Sequence, residues 1–245
     1  SEYSNGTWSG QRGVIRGTSG EDYQGSTSRN AYLNTVNYGN GQLHLTWTWR
    51  ETSGASTNHD LMHAYSTDNA MSWSNSFGTV VGTSGAGSFK MNLNSDVMFQ
   101  QVRDGTVANQ CGQTMTGDGR VHVIHRYDSG YQYHRWGPSV GENDWTPALA
   151  IGANGGRPRI YSGPNDSLWV VGTNGNRIRI YAAAKGSDNW GTWSRVYETA
   201  GSARYITSSG YVAGDKLVIL AQREADDPAS AEQTEIEVLT FEIDD

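Results

Sequence analysis

One short pattern recurs four times along this chain: a Gly/Asp/Asn turn followed by alternating β-branched or large apolar residues. The copies are Gly39-Asn40-Gly41-Gln42-Leu43-His44-Leu45, Gly117-Asp118-Gly119-Arg120-Val121-His122-Val123, Pro164-Asn165-Asp166-Ser167-Leu168-Trp169-Val170 and Ala213-Gly214-Asp215-Lys216-Leu217-Val218-Ile219. Their first apolar positions, Leu43, Val121, Leu168 and Leu217, are spaced 78, 47 and 49 residues apart. Short runs bounded by such turns read as strands. A period of about 47–49 residues is the size of one four-stranded propeller blade. The longer first interval is one blade plus an excursion from Gly78 to Ala108, rich in Gly, Ser and Asn.

Each repeat can be laid out in the same way. An inner strand starts near Asn30, Asn109, Arg157 or Arg204, and the second strand is the one quoted above. Third strands follow at Leu61–Ser66, Tyr131–Trp136, Arg177–Ala182 and Glu235–Glu242, and outer strands near Trp73, Trp145 and Trp193. No stretch has the period of an amphipathic helix. The expectation is an all-β propeller of four-stranded blades, four to five of them in this chain. Residues 1–27 would hold the outer strand of a preceding blade, 28–107 a blade with its excursion, and 108–150, 151–200 and 201–245 one blade each.

A second mark agrees. Ser66-Thr67-Asp68-Asn69-Ala70-Met71-Ser72-Trp73 matches the Asp-box turn Ser-x-Asp-x-Gly-x-x-Trp, with Ala70 in the glycine position, and Gly186 to Trp193 is a decayed copy. In such a turn the Asp side chain satisfies backbone N–H groups of the hairpin. The role is structural.

Composition narrows the function. Lys+Arg 18 against Asp+Glu 25 gives a net charge of -7, which argues against nucleic acid as partner. Twenty-six aromatic residues (Trp 9, Tyr 13, Phe 4) exclude a disordered chain. No run approaches the ~18–20 apolar residues that span a bilayer, so no membrane partner is expected. The single cysteine, Cys111, excludes an intrachain disulfide. The first residues carry no basic and apolar leader, so an export signal is expected to be removed or to lie elsewhere.

Three blocks carry a family resemblance: Arg29-Asn30-Ala31-Tyr32, Leu43 to Glu51 with its Leu-His-Leu-Thr-Trp-Thr-Trp-Arg-Glu, and Thr57-Asn58-His59-Asp60-Leu61 with Ala64-Tyr65-Ser66. They resemble the BNR-repeat family that includes propeller-type ulvan lyases and rhamnose–glucuronate lyases. Asn109-Gln110 and Gly156-Arg157-Pro158-Arg159-Ile160-Tyr161 continue the resemblance, which covers about residues 28 to 180. It implies a seven-bladed ring that cleaves uronic-acid polysaccharides by β-elimination. It also implies that the principal His, Tyr and Arg lie upstream of this block. This chain would then be the C-terminal portion, with a second chain or a preceding segment supplying the remaining blades.

Blade geometry gives a site independently. The start of each inner strand and the loop from second to third strand open on one face. That face would collect Arg29, Asn30, Asn109, Gln110, Arg157, Arg204 and Tyr205, with Arg50, Asn58, His59, Arg126, Tyr127, Asn174 and Arg223 from the loops. A basic patch on an acidic chain suits an anionic ligand, because Arg forks onto carboxylate or sulfate. The bland alternative is that these arginines pair with Glu51, Asp60, Asp128 or Glu224.

A uronate lyase must neutralise the carboxylate, remove the C5 proton and protonate the departing C4 oxygen. Arg204, with Arg157 or Gln110, is the candidate for neutralisation, and His59 or His125 for the base. Substrate binding is assigned to Arg29, Asn30, Arg50, Asn58, Gln110, Arg157, Tyr205 and Arg223. No cofactor is required. Cys111, His125 and His59 are candidate ligands for a structural zinc or calcium ion, against the alternative of a core histidine beside an inert cysteine. His44 and His122 occupy equivalent repeat positions and read as packing or solvated-face residues, and His63 and His134 on third strands read as bland too. Sequons at Asn5-Gly6-Thr7 and Asn165-Asp166-Ser167 fit a secreted protein. The leading expectation is a secreted polysaccharide lyase acting on an anionic uronic-acid/rhamnose glycan. A glycoside hydrolase and a lectin-like binding propeller on the same scaffold are the rivals.

Overall fold

The computed structural model describes residues 3–10, 13–15, 26, 28–84, 97–103, 105–137, 145–152, 155–174, 177–186, 188–200, 205–223 and 235–243. Two compact units divide the chain between Asn109 and Gln110.

In the first unit, β1 (Tyr3–Ser4) and β2 (Thr7–Trp8) form a hairpin over Asn5-Gly6, both at positive φ. The expected outer strand of a preceding blade is therefore a small hairpin, with Trp8 exposed. The main sheet runs β3 (Asn30–Gly39), β4 (Gln42–Arg50), β5 (Asn58–Ser66), β6 (Ser72–Ser74) and β7 (Val80–Thr83), and β8 (Met98–Gln100) pairs with β5. The excursion thus adds β7 and β8 to a four-stranded blade. Residues 85–96 lie outside the described residues.

Alternation fixes which face is apolar. Leu45, Trp47 and Trp49 of β4 point one way and bury with Met62, Ala64, Trp73 and Val97. The Asn40-Gly41 turn has positive φ at both residues, the geometry that suits the twist of a two-residue hairpin. The Asp68 carboxylate ties the β5–β6 turn: it accepts the Ser72 hydroxyl at 2.5 Å and the backbone N–H groups of Ser72 and Met71 at 2.8 and 3.0 Å. Ala70 adopts φ +62 there, the left-handed conformation for which glycine was expected.

The second unit contains three sheets. The first is β9 (Gly112–Met115), β10 (Val121–Tyr127), β11 (Gly130–Trp136) and β12 (Leu149–Ala150). The second is β13 (Arg159–Ser162), β14 (Leu168–Asn174), β15 (Arg177–Ala183) and β16 (Ser194–Glu198). The third is β17 (Tyr205–Ala213), β18 (Lys216–Arg223) and β19 (Glu235–Glu242), with no fourth strand among the described residues. All are antiparallel and run in chain order, as propeller blades do.

The sheets stack through two cores. Ile124, Tyr131 and Tyr133 of the first sheet pack with Ile160, Leu168, Val170 and Tyr181 of the second. Val171, Ile178 and Ile180 of the second pack with Leu217, Ile219 and Ala221 of the third. Each such aliphatic side chain contributes roughly 1.5–3 kcal/mol by leaving water. The inner strands approach closely, since a Cβ on Gly112 would lie 2.6 Å from the Ile160 nitrogen. Two inner strands start later than expected, at Gly112 and Arg159 rather than near Asn109 and Arg157. Trp190, at φ +63, is the fully buried tryptophan of its turn, while Trp193 is only partly buried.

Candidate active site

The expected face forms at one end of the sheet in the first unit. Asn30, Arg50 and Asn58 lie in one row across β3, β4 and β5. Just beside them Arg29 and Glu51 are buried together, with Arg29 Nε donating to Glu51 Oε1 at 2.7 Å and the guanidinium 5.4 Å over Trp49. The same Glu51 oxygen lies 2.9 Å from His59 Nε2, and His59 Nδ1 lies 3.0 Å from Asp60 Oδ2. Asp60, at φ +51, accepts the Val102 N–H through its other oxygen at 2.8 Å.

This arrangement limits what these groups can do. Ionised carboxylates only accept hydrogen bonds, so the His59 ring is engaged on both nitrogens. Both ring nitrogens face carboxylate oxygens of the chain itself, so neither is directed at a substrate. Arg29 is internally neutralised, as the bland alternative had it. Asn58 is buried and donates to the Val107 carbonyl at 3.1 Å. Asn30 is exposed, and Arg50 is half-buried, donating to the Thr52 carbonyl with its guanidinium 5.1 Å from the Tyr32 ring centre. Those two remain available on this face.

The second unit brings a different set together at the corresponding end of its own sheets. Cys111, fully buried before β9, accepts the backbone N–H of Arg126. Burial pushes its thiol up to about 11, although Arg159, Arg157 and Arg126 stand close enough to pull it down. The free thiol therefore stays protonated near neutrality. Arg159 donates to the carbonyls of Gln110 and Cys111 at 3.0 and 3.1 Å. Among the described residues no ion pair joins Arg126 or Arg159 to a carboxylate. Gln110, Arg126 and Arg157 are exposed. The Tyr127 hydroxyl is buried without a hydrogen-bond partner, and burial, with Cys111 beside it, raises its pKa.

Tyr205 and Arg223 meet elsewhere. Tyr205 donates its hydroxyl to Glu237 at 2.7 Å, and Arg223 lies 3.4 Å from Glu237 and 3.6 Å from Glu235. Both residues are held by carboxylates of β19. Arg204 lies outside the described residues. Arg159, the first residue of β13, was not among the residues expected on this face.

Cys111, His125 and His59 were the expected metal ligands. His59 has both nitrogens on carboxylates, the thiol is protonated, and among the described residues no group of three or more His, Cys, Asp and Glu side chains is placed to hold a metal. His125 is fully buried on β10.

The other histidines sit toward the opposite ends of their strands and are packed. His44 and His63 stack with ring nitrogens 3.1 Å apart, and His63 contacts Ser76 at 2.9 Å. His122 lies between Tyr133 and Thr116 at 2.7 and 2.9 Å. Burial lowers His44 to about 4, His134 to about 4 and His122 to about 3. Burial, then the His44 charge, lowers His63 as well.

Comparisons with known proteins add the family. The model of a BNR repeat-containing family member matches residues 2–151. No curated protein matches the chain. Among solved structures, an ulvan lyase of polysaccharide lyase family PL25 is similar at 10% identity with a TM-score of 0.61, over 88% of this chain and 52% of that one. The polysaccharide lyase Uly1 is similar at 15% identity with a TM-score of 0.58, over 89% of this chain and 47% of that one. A PL25 ulvan lyase bound to -[GlcA(1-4)Rha3S]- is similar at 10% identity with a TM-score of 0.59, over 88% and 52% of the two chains. The likeness is one of fold, and this chain spans about half the length of these lyases.

Proposed function

The chain belongs to the BNR repeat-containing family, and on that premise we propose that it is part of a secreted polysaccharide lyase that cleaves a uronic-acid/rhamnose glycan by β-elimination. The observation that carries this reading is the group of arginines around Cys111. Arg126 and Arg159 have no carboxylate partner among the described residues, in a protein of net charge -7. An unneutralised guanidinium pair on an acidic protein is suited to a ligand carboxylate or sulfate. The oligosaccharide in the similar PL25 structure carries both glucuronate and sulfated rhamnose, which supports the same class of ligand here.

In the proposed reaction Arg126, Arg157 and Arg159 neutralise the uronate carboxylate, which makes the C5 proton acidic. A base removes that proton. The C5–H electron pair becomes the C4–C5 double bond, and the C4–O bond breaks. A general acid protonates the departing C4 oxygen. Gln110, exposed beside these arginines, contributes a further substrate contact. His59 holds Glu51 and Arg29 in place rather than acting as base.

We assign the complete activity to an assembly in which a second chain or a preceding segment supplies further blades. Half-length coverage of the similar lyases supports this. So does the last sheet, where Tyr211, Leu220, Ile236 and Val238 are exposed and share the face opposite Leu217 and Ile219. An active species of 26.7 kDa in native mass spectrometry would overturn the second chain.

The reaction is tested by incubating the purified protein with a glucuronate–rhamnose sulfate polysaccharide. Ultraviolet absorbance from unsaturated uronate ends is the expected result. New reducing ends without that absorbance would make it a hydrolase, and binding without turnover a lectin.

A further inference from the structure

Arg157 sits in an unusual stretch, Gly155-Gly156-Arg157-Pro158-Arg159. Proline restricts the residue before it to extended backbone, so Arg157 is confined from its C-terminal side. From the other side the chain is stapled twice. The Gly156 N–H donates to the Thr173 carbonyl on β14 at 2.5 Å, and the Gly156 carbonyl accepts the Tyr131 hydroxyl at 2.9 Å.

Tyr131 comes from β11 of the first sheet of the second unit, whereas Thr173 lies on β14 of the second sheet and Gly156 just ahead of β13. Its ring lies over Gly172, where a Cβ would overlap the hydroxyl and ring carbons. A glycine inside a strand weakens it unless another group must approach closely. Here the approaching group is the phenol that reaches Gly156. Burial raises the Tyr131 pKa, so the hydroxyl remains a donor.

We propose that Tyr131, seated on Gly172 and bonded to Gly156, is a positioning residue that fixes Arg157 for the anionic group of the substrate. The inference rests on the reading of the arginine group as a uronate site. The latch spans two neighbouring blades, so it also couples the packing of the two sheets to the backbone that carries Arg157. Preorganising a cation in this way raises affinity by removing the cost of ordering it on binding.

The test uses Tyr131→Phe, Gly172→Ala, Arg157→Ala and the double variant Tyr131→Phe/Arg157→Ala. Backbone hydrogen exchange is read first, without ligand. Tyr131→Phe and Gly172→Ala should both raise exchange at Gly156 and Arg157 while leaving β13 to β16 protected. Unchanged exchange at Gly156 in both would overturn the latch whatever the protein binds.

Binding and turnover of a glucuronate–rhamnose sulfate oligosaccharide are read second. Tyr131→Phe should raise Kd and KM by about 3–10-fold, the value of one hydrogen bond, with kcat little changed. The double variant should bind no more weakly than Arg157→Ala alone, because Tyr131 acts through Arg157. Multiplying effects in the double variant would overturn the positioning role and leave Tyr131 a packing residue. Absence of oligosaccharide binding by the unaltered protein would instead remove the uronate reading, and with it the purpose assigned to the latch. The exchange result would still stand as a separate outcome.

Discussion

Both units place arginine at the corresponding end of their sheets, yet the two sets differ in what surrounds the charge. In the first unit Arg29 is 4% exposed, and its Nε is bonded to a Glu51 oxygen that His59 also approaches. In the second unit Arg159 spends its hydrogen bonds on the carbonyls of Gln110 and Cys111, and Arg126 is exposed with no carboxylate partner among the described residues. A carbonyl orients a guanidinium without cancelling its charge. A buried carboxylate orients and cancels it. The position in the blade is therefore not enough to identify a ligand-binding arginine; the partner decides.

Removing Glu51 strikes this contrast where it is strongest. Glu51→Ala leaves Arg29 buried against a lost partner and should cost about 3–5 kcal/mol of stability, read by urea unfolding. A loss below about 1 kcal/mol would mean that the first cluster is not the structural one.

Acid should act on both units through their buried histidines. Each has a folded pKa below its unfolded value of 6.5, so the unfolded chain binds the proton more tightly. Stability is complete above that pH and falls as pH drops toward about 4 for His44 and His134 and about 3 for His122. A tenfold difference in proton affinity is worth about 1.4 kcal/mol, so the total loss is on the order of several kcal/mol. His44→Gln should flatten the melting temperature against pH between those limits. An unchanged profile would contradict the burial of the His44–His63 pair.

Arg126→Ala should behave oppositely to Glu51→Ala. Its stability should stay within about 0.5 kcal/mol, while affinity for a uronate oligosaccharide falls about 10–100-fold, as loss of a charged hydrogen bond does. Calorimetric titration and thermal melting on the same sample measure the two effects together.

The smallest effect compares two turns. Asp68→Ala removes a carboxylate that the Ser72 hydroxyl and then the Ser72 N–H hold down to about 2, and should cost about 1 kcal/mol. Asp188 engages its turn through the backbone, its carbonyl accepting the Gly191 N–H at 3.1 Å. Asp188→Ala should therefore be close to neutral by the same unfolding assay.

The blades were legible because strand and turn chemistry is local. Leu43, Val121, Leu168 and Leu217 all fall at the start of a second strand, beside turns such as Asn40-Gly41 and Gly214 that need positive φ. Strand positions of the candidate residues were legible, but their partners were not. Arg29 and Glu51 are 22 residues apart, and only the fold decides whether they meet. His59 looked like a base because sequence shows the ring and not the two carboxylates that enclose it. The Tyr131 latch did leave a signal. Gly172 stands in the slot that Trp47, His125 and Ala221 fill in the other repeats, and a glycine there marks close approach of another group.

Which guanidiniums meet the ligand is the question on which the proposed function turns. Nuclear magnetic resonance of the arginine Nε–H groups, recorded while a glucuronate–rhamnose sulfate oligosaccharide is added, reads this directly. The resonances of Arg126 and Arg159 should move with saturation while that of Arg29, bonded to Glu51, stays in place. Movement of Arg29 with Arg126 and Arg159 unmoved would contradict the proposed site.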